Sequence, residues 1–339
     1  MYETFYGLTG KPFQLNPDPA FFFGSKGHSS AYSYLKYGVF QGEGFIVITG
    51  EIGAGKTTLV RTLLAETDPR KVVAVQLVST QLDADDLLRS VTTAFGIPTK
   101  GADKAQLLAT LEAFLTSLVT ENKRALLVVD EAQNLSPRAM EELRMLSNFQ
   151  LGDRALLQSF LIGQPELRNL LREPYMQQLR QRVIASYHLG PIDKGETRAY
   201  VEHRLHRVGW KSDPQIEDQA FDAIFVATSG VPRKINTLCN RLLLAGYLSE
   251  KHRIEQADVD AVAGEIRDES GVDLAPTDPE ASLQDVTPRG DGVVRPFAMS
   301  AINARLDRLE KSINQVLEML RAMGAPDRRT GKPGKQVRG

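Results

Sequence analysis

Hydrophobic positions along the first 266 residues fall into two alternating kinds of run. Short stretches rich in β-branched residues and leucine, "GFIVIT" (44–49), "VVAVQLV" (72–78), "ALLVVD" (125–130), "LLQSFLIG" (156–163) and "VIASYHL" (183–189), are separated by longer amphipathic stretches. Such runs read as strands, and their alternation with helical segments predicts a parallel sheet covered by helices on both faces, an α/β fold. Past "HLGPID" the strand signals stop. Helical stretches follow around 193–208, 215–228, 232–249 and 255–266, which predicts a second, all-helical domain.

The pattern changes again after residue 267. Residues 268–298 are rich in Asp, Pro, Gly and Ser, too poor in large apolar groups to offset the entropy of ordering, and read as a flexible linker. Within 299–323, Ile302, Leu306, Leu309, Ile313, Val316, Leu320 and Met323 are spaced 4-3-4-3-4-3, a heptad seam suited to self-association or to pairing with a partner helix. Residues 324–339 read as a disordered basic tail.

Composition narrows the class without choosing a function. The chain has 339 residues, enough for two domains and appendages, with 42% hydrophobic and 24% charged residues, as in an ordinary globular protein. A formal net charge of -1 exerts no global pull towards nucleic acid or acidic membranes. Cys239 is the only cysteine, so no intrachain disulfide forms, and its apolar surroundings predict a buried thiol. The opening residues lack the pattern of a secretion signal, and no apolar run is long enough to cross a bilayer. The expectation is a cytoplasmic protein, peripheral at the inner membrane only through a partner.

Chemistry concentrates at two places. "GEIGAGKT", from Gly50 to Thr57, fits G-x-x-x-x-G-K-[ST] and lies between a predicted strand and a predicted helix. Gly50, Gly53 and Gly55 permit a tight loop whose backbone N–H groups turn towards phosphate oxygens, and Glu51, Ile52, Ala54 and Thr58 complete the phosphate-binding stretch. Lys56 is placed to reach the β- and γ-phosphates, and the Thr57 hydroxyl is offered to Mg2+. At the end of "ALLVVDEAQ", Asp130 can hold Mg2+ through water while Glu131 polarises the attacking water. ATP and Mg2+ are the cofactors this pairing predicts.

With these motifs in place the chain resembles the AAA+ ATPases. It is most similar to the general secretion pathway protein A family and the related ATPase encoded at exosortase/PEP-CTERM loci. The resemblance is carried by "MYETFYGLTGKPFQLNPDPAFFF", "GFIVITGEIGAGKTTLVRTLL", "LLVVDEAQNLSP", "FLIGQPELR", "LRQRV" with "YHLGPI", and "GVPRKINTLCNRLLLAGY", over about the first 265 residues. It implies an ATPase with residues 1–40 packing on a P-loop domain at 41–190, and a helical lid at 191–267. It implies Gln164 as a first sensor near the γ-phosphate, and Arg182 as a finger given to a neighbouring subunit, with Arg180 as its substitute. Arg233 is implied as a second sensor projecting from the lid. The N-terminal stretch is implied to close over adenine, although Phe21 to Phe23 by themselves read as core packing.

Three uses of such a cycle follow. The resemblance implies an ATPase that powers or regulates an envelope secretion or exopolysaccharide export system. It would act as a homo-oligomer, a ring being one form, and reach membrane-bound partners through the C-terminal helix. An alternative is a DNA-associated regulator like the transposition ATPases, against which stands the lack of a basic domain or helix-turn-helix. A third is a nucleotide-sensing coiled-coil adaptor with little turnover, against which stand the intact Lys56, Asp130 and Glu131. His203 and His206 lie three apart but lack a third metal ligand, and His28 and His188 have no acid or nucleophile nearby in sequence.

Overall fold

Strands β1 (Phe45–Gly50), β2 (Val72–Val78), β3 (Arg124–Asp130), β4 (Leu157–Gly163) and β5 (Val183–Leu189) form one parallel sheet in the order β2-β3-β4-β1-β5. They belong to a computed structural model that describes residues 1–78 and 82–270. The expected heptad helix, the basic tail and the linker beyond residue 270 lie outside the described residues.

β1 and β4 are buried at every position and β3 at all but its first, which is why their sequences run apolar without alternation. Successive side chains nevertheless go to opposite faces. Phe45, Val47, Leu127, Val129 and Leu161 pack against helices α3 (Ala84–Ala94), α4 (Lys104–Thr120) and α5 (Pro137–Leu146). Ile46, Ile48, Leu126, Val128, Phe160 and Ile162 pack on the other side against Leu35 of α1 (Lys26–Gln41) and Leu59 and Leu63 of α2 (Lys56–Glu66). The edge strand β5 follows the period-2 pattern, with Ile184, Ser186 and His188 exposed. Two short helices, α6 (Glu166–Arg172) and α7 (Gln177–Gln181), connect β4 to β5.

The helical domain is built from α8 (Lys194–His206), α9 (Asp218–Thr228), α10 (Pro232–Leu248) and α11 (Gln256–Ser270) around a separate core that includes Leu205, Ile224, Leu242 and Val259. Cys239 is buried in it, and burial pushes its thiol well above the usual range. One boundary differs from expectation. Gln215–Ile216, read as the start of a helix, forms strand β6 and pairs with β7 (Arg253–Ile254). A two-residue strand has no periodicity of its own, and its pairing partner lies nearly forty residues away in sequence.

The N-terminal segment also differs. Residues 1–40 were expected on the P-loop domain, but the structure divides them. Tyr2, Tyr6, Leu8 and Phe13 enter the lid core, Tyr2 donates to Asn240 Oδ1 at 2.8 Å, and Tyr6 donates to the Lys251 carbonyl at 3.1 Å. Helix α1, with Phe22 just before it, packs on the sheet-side core. Between them runs a strap, residues 12–23, held from both sides. Arg204 of α8, 6% exposed, donates through Nε to the Pro12 carbonyl at 2.6 Å and through Nη2 to the Gln14 carbonyl at 3.2 Å. Its guanidinium also lies 4.8 Å from the centre of the Phe21 ring. From the P-loop side, Arg61 of α2 donates to the Pro17 carbonyl at 2.8 Å. A strap whose regular structure is limited to one 3-10 turn, Pro19–Phe21, satisfies its carbonyls this way, and aromatic–proline composition alone does not reveal which domain supplies the donors.

Arg204→Ala removes these donors and leaves two strap carbonyls to be satisfied by water. The expected result is a loss of about 2 kcal/mol in urea unfolding, with faster proteolytic cleavage within residues 12–23. An unchanged unfolding midpoint and cleavage rate would show that the tyrosines alone hold the segment.

Candidate functional site

Parallel strands all leave the sheet at the same edge, so Gly50, Asp130 and Gly163 bring three loops together there. After β1 the chain turns through Glu51–Gly55 into α2, whose first-turn N–H groups, on Lys56, Thr57 and Thr58, have no partner within the helix. Gly53 (φ +85°) and Gly55 (φ +95°) hold left-handed backbone, and a Cβ on Gly53 would lie 2.3 Å from Arg233 Cβ. The loop is therefore closed against the lid: Arg233 N donates to the Gly53 carbonyl at 3.1 Å. Loop, strap and lid line one cleft that includes Ile52, Gly53, Lys56, Thr57, Thr58, Glu131, Phe21, Tyr200, Arg233 and Asn236.

The charged groups are buried and tied together. Lys56, 6% exposed, donates from Nζ to the Gly50 carbonyl at 2.6 Å and to the Glu51 carbonyl at 2.9 Å. Burial lowers its pKa against the opposing pull of Glu131 and Asp130. Asp130, 5% exposed, accepts from Thr57 Oγ1 at 3.0 Å and from the Glu131 N–H at 3.0 Å. Burial nevertheless raises its carboxyl above the usual range. An adjacent hydroxyl and buried carboxylate form an oxygen donor pair suited to a hard divalent cation, so the residues fit Mg2+.

Glu131 is held differently. Its backbone is left-handed at φ 53°, uncommon for a residue with a side chain. Gln133 Nε2 donates to its Oε2 at 2.6 Å and Gln164 Nε2 donates to the same oxygen at 3.0 Å. Burial would raise this carboxyl, but the two amides and the charge of Lys56 outweigh it and hold the pKa below the usual range. Gln133 is itself fixed, because its Oε1 accepts from the Gln164 N–H at 3.0 Å. A Cβ at residue 163 would stand 2.7 Å from that oxygen, so the amide fits only beside a glycine. Gln133 was not singled out in the sequence. Its place two residues after the Asp–Glu pair was the available signal.

The structure thus gathers Lys56, Thr57, Asp130, Glu131, Gln164 and Arg233 around one cleft edge. Arg182 and Arg180 are not in that group. Arg182 follows α7 at the start of β5, where its carbonyl accepts from Phe45 N at 2.9 Å, at the opposite end of β1 from the phosphate loop. Its guanidinium donates to the Ser147 carbonyl at 2.8 Å and to Asn148 Oδ1. Arg180 donates to the Leu171 carbonyl at 2.8 Å. Neither acts on the loop of its own chain.

Comparison with known proteins follows this geometry. Residues 39–171 match the family described as "AAA domain". The chain is 37% identical over 273 residues, 79% of its length, to a protein described as general secretion pathway protein A from Aeromonas hydrophila. It spans about half the length of that curated relative, 50%. Among solved structures it is similar to the Aeropyrum pernix ORC2 protein in its ADP form, with TM-score 0.57 and 17% identity over 75% of this chain and 72% of that one. It is likewise similar to Cdc6p from Pyrobaculum aerophilum, with TM-score 0.56 and 16% identity over 78% and 71%.

A neutral isostere tests the cost of the buried acid. The folded pKa of Asp130 is raised, so its ionised form is disfavoured in the fold, and that cost grows as pH rises from the acid range to neutrality. Asp130→Asn, which keeps an acceptor for Thr57, is expected to raise Tm by roughly 2–4 °C at pH 8 and less at pH 4. A lower Tm at both pH values would mean that the charge of Asp130 supports Lys56 more than its burial costs. The pieces assembled at this edge, a five-stranded parallel sheet, a glycine loop leading into a helix and a helical lid, are those of the parallel-sheet P-loop AAA fold.

Proposed function

We propose that the protein binds and hydrolyses Mg-ATP in an assembly of its own copies. The observation that carries this reading is the convergence on one loop of Lys56, the Thr57–Asp130 pair and a Glu131 held by two amides. Phosphoryl transfer is chiefly positioning and charge stabilisation, and each group answers one of those needs. The N–H groups from Gly53 to Thr58 bind phosphate oxygens, and Lys56 exchanges its loop carbonyls for the β- and γ-phosphates. Thr57, and Asp130 through water, would hold Mg2+, which would supply positive charge to the phosphates. Glu131, kept ionised by Gln133 and Gln164, accepts a proton from water. Arg233 approaches from the lid. Arg182, remote from its own loop, serves a neighbour's site; its bonds to Ser147 and Asn148 hold it ready in the single chain.

The cycle drives or regulates an envelope secretion machinery, with exopolysaccharide export as the finer reading. Support comes from the 37% identity to a general secretion pathway protein A, of which this chain spans half, and from the resemblance to the exosortase-locus ATPases. Among the described residues no helix is long and apolar enough to cross a membrane. Contact with membrane-bound partners is therefore assigned to the heptad stretch read at 299–323. Cross-linking in cells that recovers no envelope protein would overturn that assignment.

ATP turnover per subunit, measured against protein concentration, should climb as the assembly forms. Arg182→Ala should lower it by on the order of a thousandfold with nucleotide affinity unchanged, whereas Lys56→Ala should weaken nucleotide binding itself. A rate independent of concentration and indifferent to Arg182→Ala would remove the shared site.

The Glu131 clamp predicts a pH effect. Gln133 is one of the groups that lower the Glu131 pKa, so Gln133→Ala raises it and protonates the base at higher pH. The acid limb of the kcat profile should move to higher pH. A limb that stays in place would assign the clamp to Gln164 alone.

A further inference from the structure

We infer that His28 is a positioning residue for the phosphate loop, acting through the Ala54 carbonyl. His28 lies in the first turn of α1, 6% exposed, and lines the same cleft as Gly55 and Lys56. Its Nε2 is 2.9 Å from the Ala54 carbonyl and its Nδ1 is 2.7 Å from Ser25 Oγ. A carbonyl can only accept, so Nε2 carries a proton. Burial lowers the pKa of the ring and favours its neutral form, in which Nδ1 accepts from the Ser25 hydroxyl. Ser25 Oγ meanwhile accepts from the His28 N–H at 3.2 Å, as the N-cap of α1. One hydroxyl thus selects the tautomer that faces the loop.

The consequence lies in the peptide between Ala54 and Gly55. It is trans, so its carbonyl and the following N–H point in opposite directions. Fixing the carbonyl towards His28 aims the Gly55 N–H into the concave side of the loop, where a phosphate binds. The contact also explains the glycine. With φ at +95°, a Cβ on Gly55 would sit 2.8 Å from His28 Nε2. Phe22 of the strap packs edge-on to the His28 ring, with centroids 6.1 Å apart, so the anchor also connects strap to loop. Such preorganisation acts on groups that bind the β-phosphate and not on the base. The ligand in this argument rests on the nucleotide reading above; the anchoring of Ala54 does not.

The test uses the full chain with His28→Met, which fills the space without a donor, and His28→Gln, which restores an N–H near the Nε2 position. ADP and AMP affinities are measured alongside hydrogen exchange of the 53–57 backbone in protein without nucleotide. His28→Met should weaken ADP about tenfold, the worth of one oriented hydrogen bond, and leave AMP within about twofold, while His28→Gln recovers most of the loss. Exchange at 53–57 should quicken in His28→Met with the β1, β3 and β4 amides unchanged. Unaltered ADP affinity, equal weakening of ADP and AMP, or faster exchange across the sheet would overturn the proposal. If the unsubstituted protein binds neither nucleotide, the proposed function falls, and exchange at 53–57 alone decides the anchor. If His28→Met does not fold, Ser25→Ala replaces it, with the same preference for ADP over AMP expected at a smaller size.

Discussion

The burial of three parallel strands on both faces is the constraint on which the rest of this molecule depends. With no water at β1, β3 and β4, their backbone groups must pair with neighbouring strands, and their side chains must be apolar on both sides. Parallel pairing then sends every strand out of the sheet at one edge. Residues far apart in sequence, Gly50, Asp130 and Gly163, meet there because no other exit exists. The rigid, dry sheet underneath holds buried charged groups at that edge, each tied to specific hydrogen-bond partners.

Strain and burial define the chemistry of that edge. A buried cation pulled down in pKa, a buried carboxyl pushed up and a second carboxylate on left-handed backbone would each be relieved by substitution in a protein selected for stability alone. They persist side by side, each with specific partners. The difference between the two acids is instructive. Asp130 accepts from a hydroxyl, one N–H and, at 3.5 Å, the Gln76 amide, but is buried deeply enough that desolvation prevails, whereas the two amides on the less buried Glu131, with the charge of Lys56, reverse the balance. Neighbouring carboxyls are thereby given different proton affinities, as an acid suited to a cation and an acid suited to a proton require.

The lid is tied to this edge by three unlike connections. Arg233 N bonds the Gly53 carbonyl directly, the strap runs from Arg204 on the lid to Arg61 on α2, and Lys26 N at the start of α1 donates to Glu196 Oε1 at 2.7 Å. A displacement of the lid therefore pulls on the loop, on the strap that lines the cleft and on the helix carrying His28. Arg204 is the pivot of this arrangement. It is a buried guanidinium whose described partners are carbonyls, a hydroxyl and two aromatic rings. Without the strap it would keep only Tyr200 among these partners, so much of the offset to its burial depends on the strap staying in place.

The order of strands and helices, the lid and the phosphate loop were legible in the amino-acid sequence by itself. Each depends on a short-range signal: a period of two or 3.6, a change of period after "HLGPID", or glycines and a lysine at fixed offsets within eight residues. The family resemblance added Gln164, which bonds Glu131, and Arg233, whose N–H bonds the Gly53 carbonyl. Tertiary structure alone decided the remainder. The N-terminal residues go to the lid because Arg204 reaches Pro12 across 192 residues of sequence, and Glu131 is clamped because Gln164 reaches it across 33. Arg182 stands at the far end of the sheet because it precedes β5 rather than following it, and His28 meets Ala54 because the first turn of α1 lies beside the loop. These partners share no period and no local motif; only the closed sheet and the folded lid bring them within hydrogen-bonding distance.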